Sequence, residues 1–329
     1  MGINVSEIDK NYDFEVNTVS YIGRPADNTV MYLTKKAEKL LDGFSGAKNC
    51  LVFVDSAVNV PQKYTENNCF VRSDNPCLSY TRFLSRLMQQ REAQQRKRRY
   101  TLTDGGYYLG ENVTLGKNCY IEPSCLIGHD VVIGDDAVIC AGAVIKNAVI
   151  GNDFYAGENC AVGVSGYVLC RDENGDLLRI PTFGKVIIGD HVQMGAHDNV
   201  AMGTAGNTVI EDCVKMDALV YIGHDTHLHK NVELPAGAVI GGYCELNEHA
   251  FVGFNATLRN RISLGENTIV GMGSAVIKSV GDNLTVVGNP ARFFSWSCRC
   301  GRALKDDLIC PECGRRYMLV NDLLTEIKE

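Results

Sequence analysis

A mainly β fold dominated by a parallel β-helix of about eight coils is what this 329-residue sequence predicts, and three observations predict it. Aliphatic residues stand six apart at Leu109, Leu115, Ile121, Ile127, Ile133, Ile139 and Ile145. The spacing resumes at Ile210, Met216, Ile222, Leu228, Leu234, Ile240, Leu246, Val252, Leu258, Leu264, Val270 and Val276. Small or β-branched residues recur four places later, at Val113, Cys119, Cys125, Val131, Ala137, Ala143, Ala238, Cys244, Ala250 and Ala256. Glycine follows many of the aliphatic positions. A helix repeats every 3.6 residues and a strand every 2, so neither yields a pure six. A triangular prism does: each hexad is one flat face, three close a coil, the large side chain fills the interior and the small one fits the corner.

Taken in order, residues 1–80 lack the six-residue period. They mix short β-like runs (Leu51–Val54, Phe70–Arg72) with a helix-like stretch at Lys35–Leu41, which suggests a compact α/β domain. A second helical stretch, Leu78 to Arg99, turns basic and reads as a connecting helix, so 81–108 is assigned as linker. The β-helix occupies 109–280. With Ile150, Ala156, Val162, Ile188, Met194 and Val200 included there are 25 hexads, a stack of roughly 40 Å at ~4.8 Å per layer. Two breaks interrupt it. Gly163 to Gly184 is a long excursion with a hairpin tip at Asn174-Gly175, and 201–209 carries extra residues. Loops inserted at the corners of such a stack are natural places for function. Residues 281–329 are assigned as a C-terminal cap carrying a zinc ribbon.

The net charge of −7 argues against a nucleic-acid partner, which a basic face would serve. The absence of a long apolar run argues against membrane insertion, and a soluble, cytoplasmic protein is expected. The opening Met-Gly-Ile-Asn-Val-Ser fits a myristoylation pattern that chance often produces. Of 14 cysteines, Cys119, Cys125, Cys160 and Cys244 occupy small corner slots as compact apolar residues, which suits a reducing compartment.

Cys298-x-Cys300-Gly, then Cys310-Pro-Glu-Cys313-Gly, supplies two tight thiolate pairs, the donor set of a structural Zn²⁺ site. His224 follows the inward Ile222 and a glycine, and one coil later Gly242 should stack beside it. A histidine with that free space can meet a substrate and titrate near neutrality. A surface histidine beside His227 and His229 is the plainer alternative. Metal binding by His224, His227 and His229 together is disfavoured, because this spacing splits the rings between sides of the prism face. Val286-Val-Gly-Asn-Pro-Ala-Arg292 reads, by composition, as a turn with a basic end.

Together these motifs resemble the hexapeptide-repeat acyltransferases, and residues 163–225 are similar to the middle of LpxD, the lipid A N-acyltransferase family. The matching pieces are Asp172-Glu-Asn-Gly175, Arg179-Ile-Pro181, Gly184-Lys-Val-Ile-Ile-Gly-Asp190 and the Asp217–Asp225 segment. Ser73-Asp-Asn-Pro76 with Leu78, Tyr80 and Arg82 is similar to the end of that family's nucleotide-recognition domain. The resemblance implies a left-handed β-helix, a homotrimer with active sites between subunits, and His224 as the general base that deprotonates a sugar amine. Departures are visible. Arg261 stands where the family has a second active-site histidine, Ala201-Met202 replaces an Asp-Arg pair, and Val30-Met31-Tyr32 occupies the uracil-holding segment. The Gly288-Asn-Pro-Ala-Arg292 turn resembles coenzyme-A-dependent hexapeptide transferases instead.

The expectation is therefore an acyl-CoA-dependent N-acyltransferase acting on a nucleotide-linked amino sugar such as dTDP-4-amino-4,6-dideoxyglucose, of the anthrose type. His224 and the Gly242 amide are the expected base and oxyanion donor. Tyr32, Lys35, Asp217 and Tyr221 are expected on the acceptor. Arg261, Gly288, Asn289, Pro290 and Arg292 are expected on coenzyme A. An LpxD-type UDP-3-O-acylglucosamine N-acyltransferase drawing on acyl carrier protein is the alternative. A zinc-dependent or scaffold β-helix, with His191, His197 and His224 as candidate ligands converging between subunits, is the alternative of another class.

Overall fold

The computed structural model describes residues 2–327, so Met1 of the myristoylation-like opening and the last two residues of the cap lie outside the described residues. The chain divides into two compact units. The first comprises the residues up to Arg99 together with Ser165–Gly184 and Gly203–Gly206; the second comprises the remainder.

In the first unit, Thr18–Val19, Thr29–Leu33, Leu51–Asp55 and Cys69–Ser73 form a four-stranded parallel sheet in chain order. Its middle strands read as continuous apolar runs because both faces are covered. Met31, Leu33, Val52 and Val54 pack with Leu41 and Phe44 on one side. Val30, Leu51 and Phe53 pack with Tyr80, Phe83, Leu84 and Leu87 on the other. The stretch beginning at Lys35 is a 3₁₀ helix, Lys35–Gly43. The long helix runs Pro76–Gln95, with Pro76 in its first turn and Asn75 Oδ1 capping the Leu78 amide at 3.1 Å. Both features match the rules for helix starts.

This helix differs from the expected linker. It begins within 1–80, and its apolar face is part of the first unit's core. The excursion belongs here too: Leu169–Arg171 and Leu177–Arg179 form an antiparallel hairpin whose tip glycine, Gly175, has φ +88°. Ile180 and Phe183 are buried in the helix's cluster, and Arg82 grips Glu173 with two bonds of 2.8 and 2.7 Å. Arg91 also has a structural role, lying 4.6 Å over the Phe183 ring and donating to the Asn17 carbonyl.

The second unit is the left-handed parallel β-helix. Short strands, most of two or three residues, stack into three sheets of ten, ten and eight strands among the described residues, parallel throughout except where Thr101–Leu102 and Arg292–Trp296 pair antiparallel at the ends. Each inward aliphatic residue sits on its equivalent one coil on, as Ile222 does on Ile240 and Ile240 on Leu258. From Ile127 to Leu264 these positions are nearly all inaccessible, each contributing roughly 1.5–3 kcal/mol by burial. The corner slots behave as expected, with Cys125, Ala137, Ala143, Cys160, Ala238 and Ala256 fully buried. Most corners turn through left-handed residues three places after the inward one. Asn112, Asn118, Asp130, Asp136, Asn231 and Asn255 all have φ between 53° and 60°, a region that Asn and Asp tolerate best after glycine.

One corner slot holds an acid. Asp198 is 1% exposed; its Oδ1 accepts the Val220 amide at 2.8 Å, and its Oδ2 has no hydrogen-bond partner among the described residues. Desolvation pushes this carboxyl up to about 7.

Beyond the last full coil, Leu284–Val287 still pairs in parallel with Ile269–Val270, then reverses to pair antiparallel with Arg292–Trp296. Cys298, Leu304, Cys310 and Tyr317 form a small separate core.

Candidate active site

His224 stands two places after the inward Ile222, on the corner of its coil. Its Nδ1 lies 2.8 Å from Asp225 Oδ2, and the two side chains are only 12% and 4% exposed. With Nδ1 donating its proton to that carboxylate, Nε2 keeps its lone pair, the state a general base requires. Asp225 is held in turn. Its backbone, in the left-handed region at φ +58°, donates from N to Thr208 Oγ1 at 2.9 Å. Thr208, fully buried, donates onward to the Ala201 carbonyl at 2.7 Å. The break at 201–209 therefore ends in the residue that supports the orienting acid.

Gly242 lies where the 18-residue coil places it. A Cβ there would fall 2.6 Å from His224 Nε2 and 2.7 Å from Cε1, so only glycine leaves room for the ring in this position. Because Gly242 is not in the left-handed region, Gly242→Ala tests sterics without backbone strain. Displacing a catalytic group by ~1 Å can cost ~10²-fold. Gly242→Ala is expected to lower kcat by at least about tenfold at unchanged thermal stability; full activity would show that the ring's position is immaterial.

Tyr243 and Arg261 occupy the corners above Asp225. The Tyr243 ring stands edge-on, 5.0 Å from the His224 ring, and the Arg261 guanidinium lies 4.2 Å over Tyr243. Asp217 sits at the preceding corner, its Oδ1 accepting the Ala218 amide at 2.7 Å. Tyr221 lies on the strand leading into His224, level with Asn199 and Val239. Tyr32 and Lys35 belong to the first unit. Tyr32 is partly exposed, with its ring centroid 4.9 Å from that of Tyr80. Lys35 is engaged, its ammonium bonding Glu38 at 2.6 Å and the Ala57 carbonyl at 3.1 Å. The set His191, His197 and His224 does not converge within the described residues of the chain: His191 pairs with Asp153 at 2.9 Å, and His224 with Asp225.

Gly288, Asn289, Pro290 and Arg292 form the reversal between the final two strands. Gly288 has φ +97°, its amide donates to Ser274 Oγ at 3.0 Å, and its carbonyl accepts from Ala275. A strand reversal needs that glycine on its own account.

The four ribbon cysteines converge. Sγ separations are 3.4 Å for Cys298–Cys300 and 3.5 Å for Cys298–Cys313 and Cys300–Cys310, and all four lie within 4.8 Å of one another. Thiolates around zinc at ~2.3 Å in a tetrahedron stand ~3.8 Å apart, so the donor set fits that ion with small adjustment. None of the 14 cysteines is in a disulfide.

The pattern described as Bacterial transferase hexapeptide (six repeats) matches residues 112–147. The chain is similar to a UDP-3-O-acylglucosamine N-acyltransferase of Delftia acidovorans, 33% identical over 122 residues, which are 35% of this chain and 36% of that protein. It is also similar to UDP-3-O-acylglucosamine N-acyltransferase 2 of Legionella pneumophila, 40% identical over 101 residues, 31% of this chain and 29% of that one. The chain thus spans about a third of the length of these curated relatives. In fold it is like the UDP-N-acetylglucosamine acyltransferases of Campylobacter jejuni (TM-score 0.52, 22% identity, 58% of this chain and 73% of that one) and Bacteroides fragilis (TM-score 0.54, 18% identity, 59% and 74%).

These relatives correct the expected reaction. They are named for a UDP-linked acylglucosamine acceptor, so the expected acyl-CoA-dependent transfer to a dTDP-linked 4-amino sugar of the anthrose type is overturned, and the relatives side with the LpxD-type alternative. The coenzyme A role of Arg261, Gly288, Asn289, Pro290 and Arg292 falls with it. The turn that suggested coenzyme A is explained by the strand reversal, and Arg261 stacks on Tyr243. What stands is that the chain carries bacterial transferase hexapeptide repeats on a left-handed parallel β-helix and resembles the LpxD-like N-acyltransferases.

Proposed function

We propose that this protein N-acylates the free amine of a UDP-linked 3-O-acylglucosamine, taking the acyl group from a thioester on acyl carrier protein. The observation that carries this reading is His224, oriented by the buried Asp225 and laid against Gly242. The neutral amine attacks the thioester carbonyl, the C–N bond forms, and the amine proton passes to His224 Nε2. Asp225 stabilises the imidazolium through Nδ1. The Gly242 amide, which donates to no protein acceptor among the described residues, is the proposed donor to the tetrahedral oxyanion. Collapse breaks the C–S bond, and His224 returns the proton to the leaving thiolate, releasing an amide and a free thiol.

Tyr32 is the proposed stacking surface for the nucleobase, and Lys35, which pairs with Glu38 at 2.6 Å, is a further proposed acceptor contact. Asp217 and Tyr221 remain proposed acceptor contacts. A homotrimer and a cytoplasmic setting complete the proposal. No helix among the described residues is long and apolar enough to cross a membrane. The test is a donor comparison with one UDP-linked acceptor: turnover with acyl carrier protein thioester is expected, and turnover with acyl-CoA alone would overturn the donor assignment.

Cys298, Cys300, Cys310 and Cys313 are proposed to hold one structural Zn²⁺, with four protein ligands and no open position. After dialysis against a weak chelator, wild-type protein is expected to retain about one zinc per chain and Cys310→Ser almost none. Equal zinc in both would refute the site.

A further inference from the structure

We propose that Glu211, His227 and His229 form a second metal site, for a single divalent transition ion such as Ni²⁺, Co²⁺ or Zn²⁺, on the outer surface of the prism. Their donor atoms lie within 4.8 Å of one another. Glu211 Oε1 is 2.8 Å from His227 Nε2 and 3.2 Å from His229 Nδ1. The two rings stack with centroids 3.9 Å apart and planes 25° apart. Donors bound tetrahedrally at ~2.0–2.1 Å stand ~3.4 Å from each other, so the ion enters with small side-chain movements.

The backbone holds these residues ready. His227 and His229 flank the inward Leu228, so they share the outward face, as i and i+2 in a strand must. The expected splitting of the histidines applies to His224 alone, which turns to Asp225. The ladder bonds Glu211 N to Leu228 O, His227 N to Cys244 O and His229 N to Leu246 O, each 2.9 Å, fix neighbouring coils to one another. His229 also has an outer partner: its Nε2 meets Glu245 Oε1 at 3.2 Å, from the residue in register with His227. Metal-bound histidines typically place their second ring nitrogen on such a carboxylate. Two imidazoles and one carboxylate favour borderline transition ions over Mg²⁺ or Ca²⁺, which prefer all-oxygen sets. Three protein ligands leave a position open to water or an incoming donor.

The test is calorimetric titration of Ni²⁺ into the full chain with its cysteine site already filled by zinc. One Ni²⁺ per chain is expected, unaffected by excess Mg²⁺. Glu211→Gln and His229→Ala are each expected to weaken binding at least about tenfold, with circular dichroism and melting temperature unchanged. If His229→Ala fails to fold, the near-isosteric Glu211→Gln decides. His224→Asn should bind as wild type. Unchanged Ni²⁺ binding in a His227→Ala/His229→Ala double variant, no binding to wild type, or loss of binding in His224→Asn would each overturn the proposal.

Discussion

His224→Asn should lower kcat by ~10²–10⁴-fold, the range that a positioned general base supplies, while leaving the fold and the melting temperature intact. Asparagine keeps a donor near the position of Nδ1, so Asp225 retains a partner, but it cannot take a proton from the amine. The side chain is largely shielded without being part of the apolar core, which separates a catalytic loss from a folding one. Steady-state kinetics on purified variant and wild type read the outcome. A kcat within about threefold of wild type, far short of the base range, would remove His224 from proton transfer and leave it at most an orienting role.

Asp198→Asn should have the largest effect on stability. Burial raises this carboxyl from its ordinary 3.8 to about 7, so the folded chain holds a proton that the unfolded chain has released. Between those values the native state binds more protons than the unfolded state, and wild-type stability therefore falls as pH rises from about 4 to about 7. The full shift corresponds to roughly 4 kcal/mol at most. Asparagine keeps an acceptor for the Val220 amide and removes the titration. The variant should melt near wild type at pH 5, several degrees above it at pH 8, and show a flatter pH dependence. Parallel pH profiles of the two proteins would contradict this account.

The prism was legible because its period is dictated by geometry. Each hexad must place one large residue inside and one small residue at a corner, and the sequence repeats both with few exceptions. Coil arithmetic also placed Gly242 beside His224, since 18 residues separate the two. The same arithmetic carried to the next column would have placed Tyr243 and Arg261 above Asp225, and the asparagines and aspartates found three places after many inward residues mark left-handed corners. Thr208 and Asp225 were harder to read. Their bond depends on how the break at 201–209 folds back, and no local periodicity encodes that. The membership of Ser165–Gly184 in the first unit was hidden for a related reason: Ile180 and Phe183 meet Tyr80 and Leu84 across about a hundred residues of chain. The coenzyme A reading failed because a glycine-bearing turn can serve strand reversal as readily as ligand contact.

The central claim is amide formation on a UDP-linked glucosamine, and the mass of the acceptor tests it most directly. Wild-type protein incubated with UDP-3-O-acylglucosamine and acyl carrier protein thioester should add one acyl group to the acceptor, attached through an alkali-stable amide at the former free amine. An unchanged acceptor mass, or an added group that alkali removes as an ester, would contradict it.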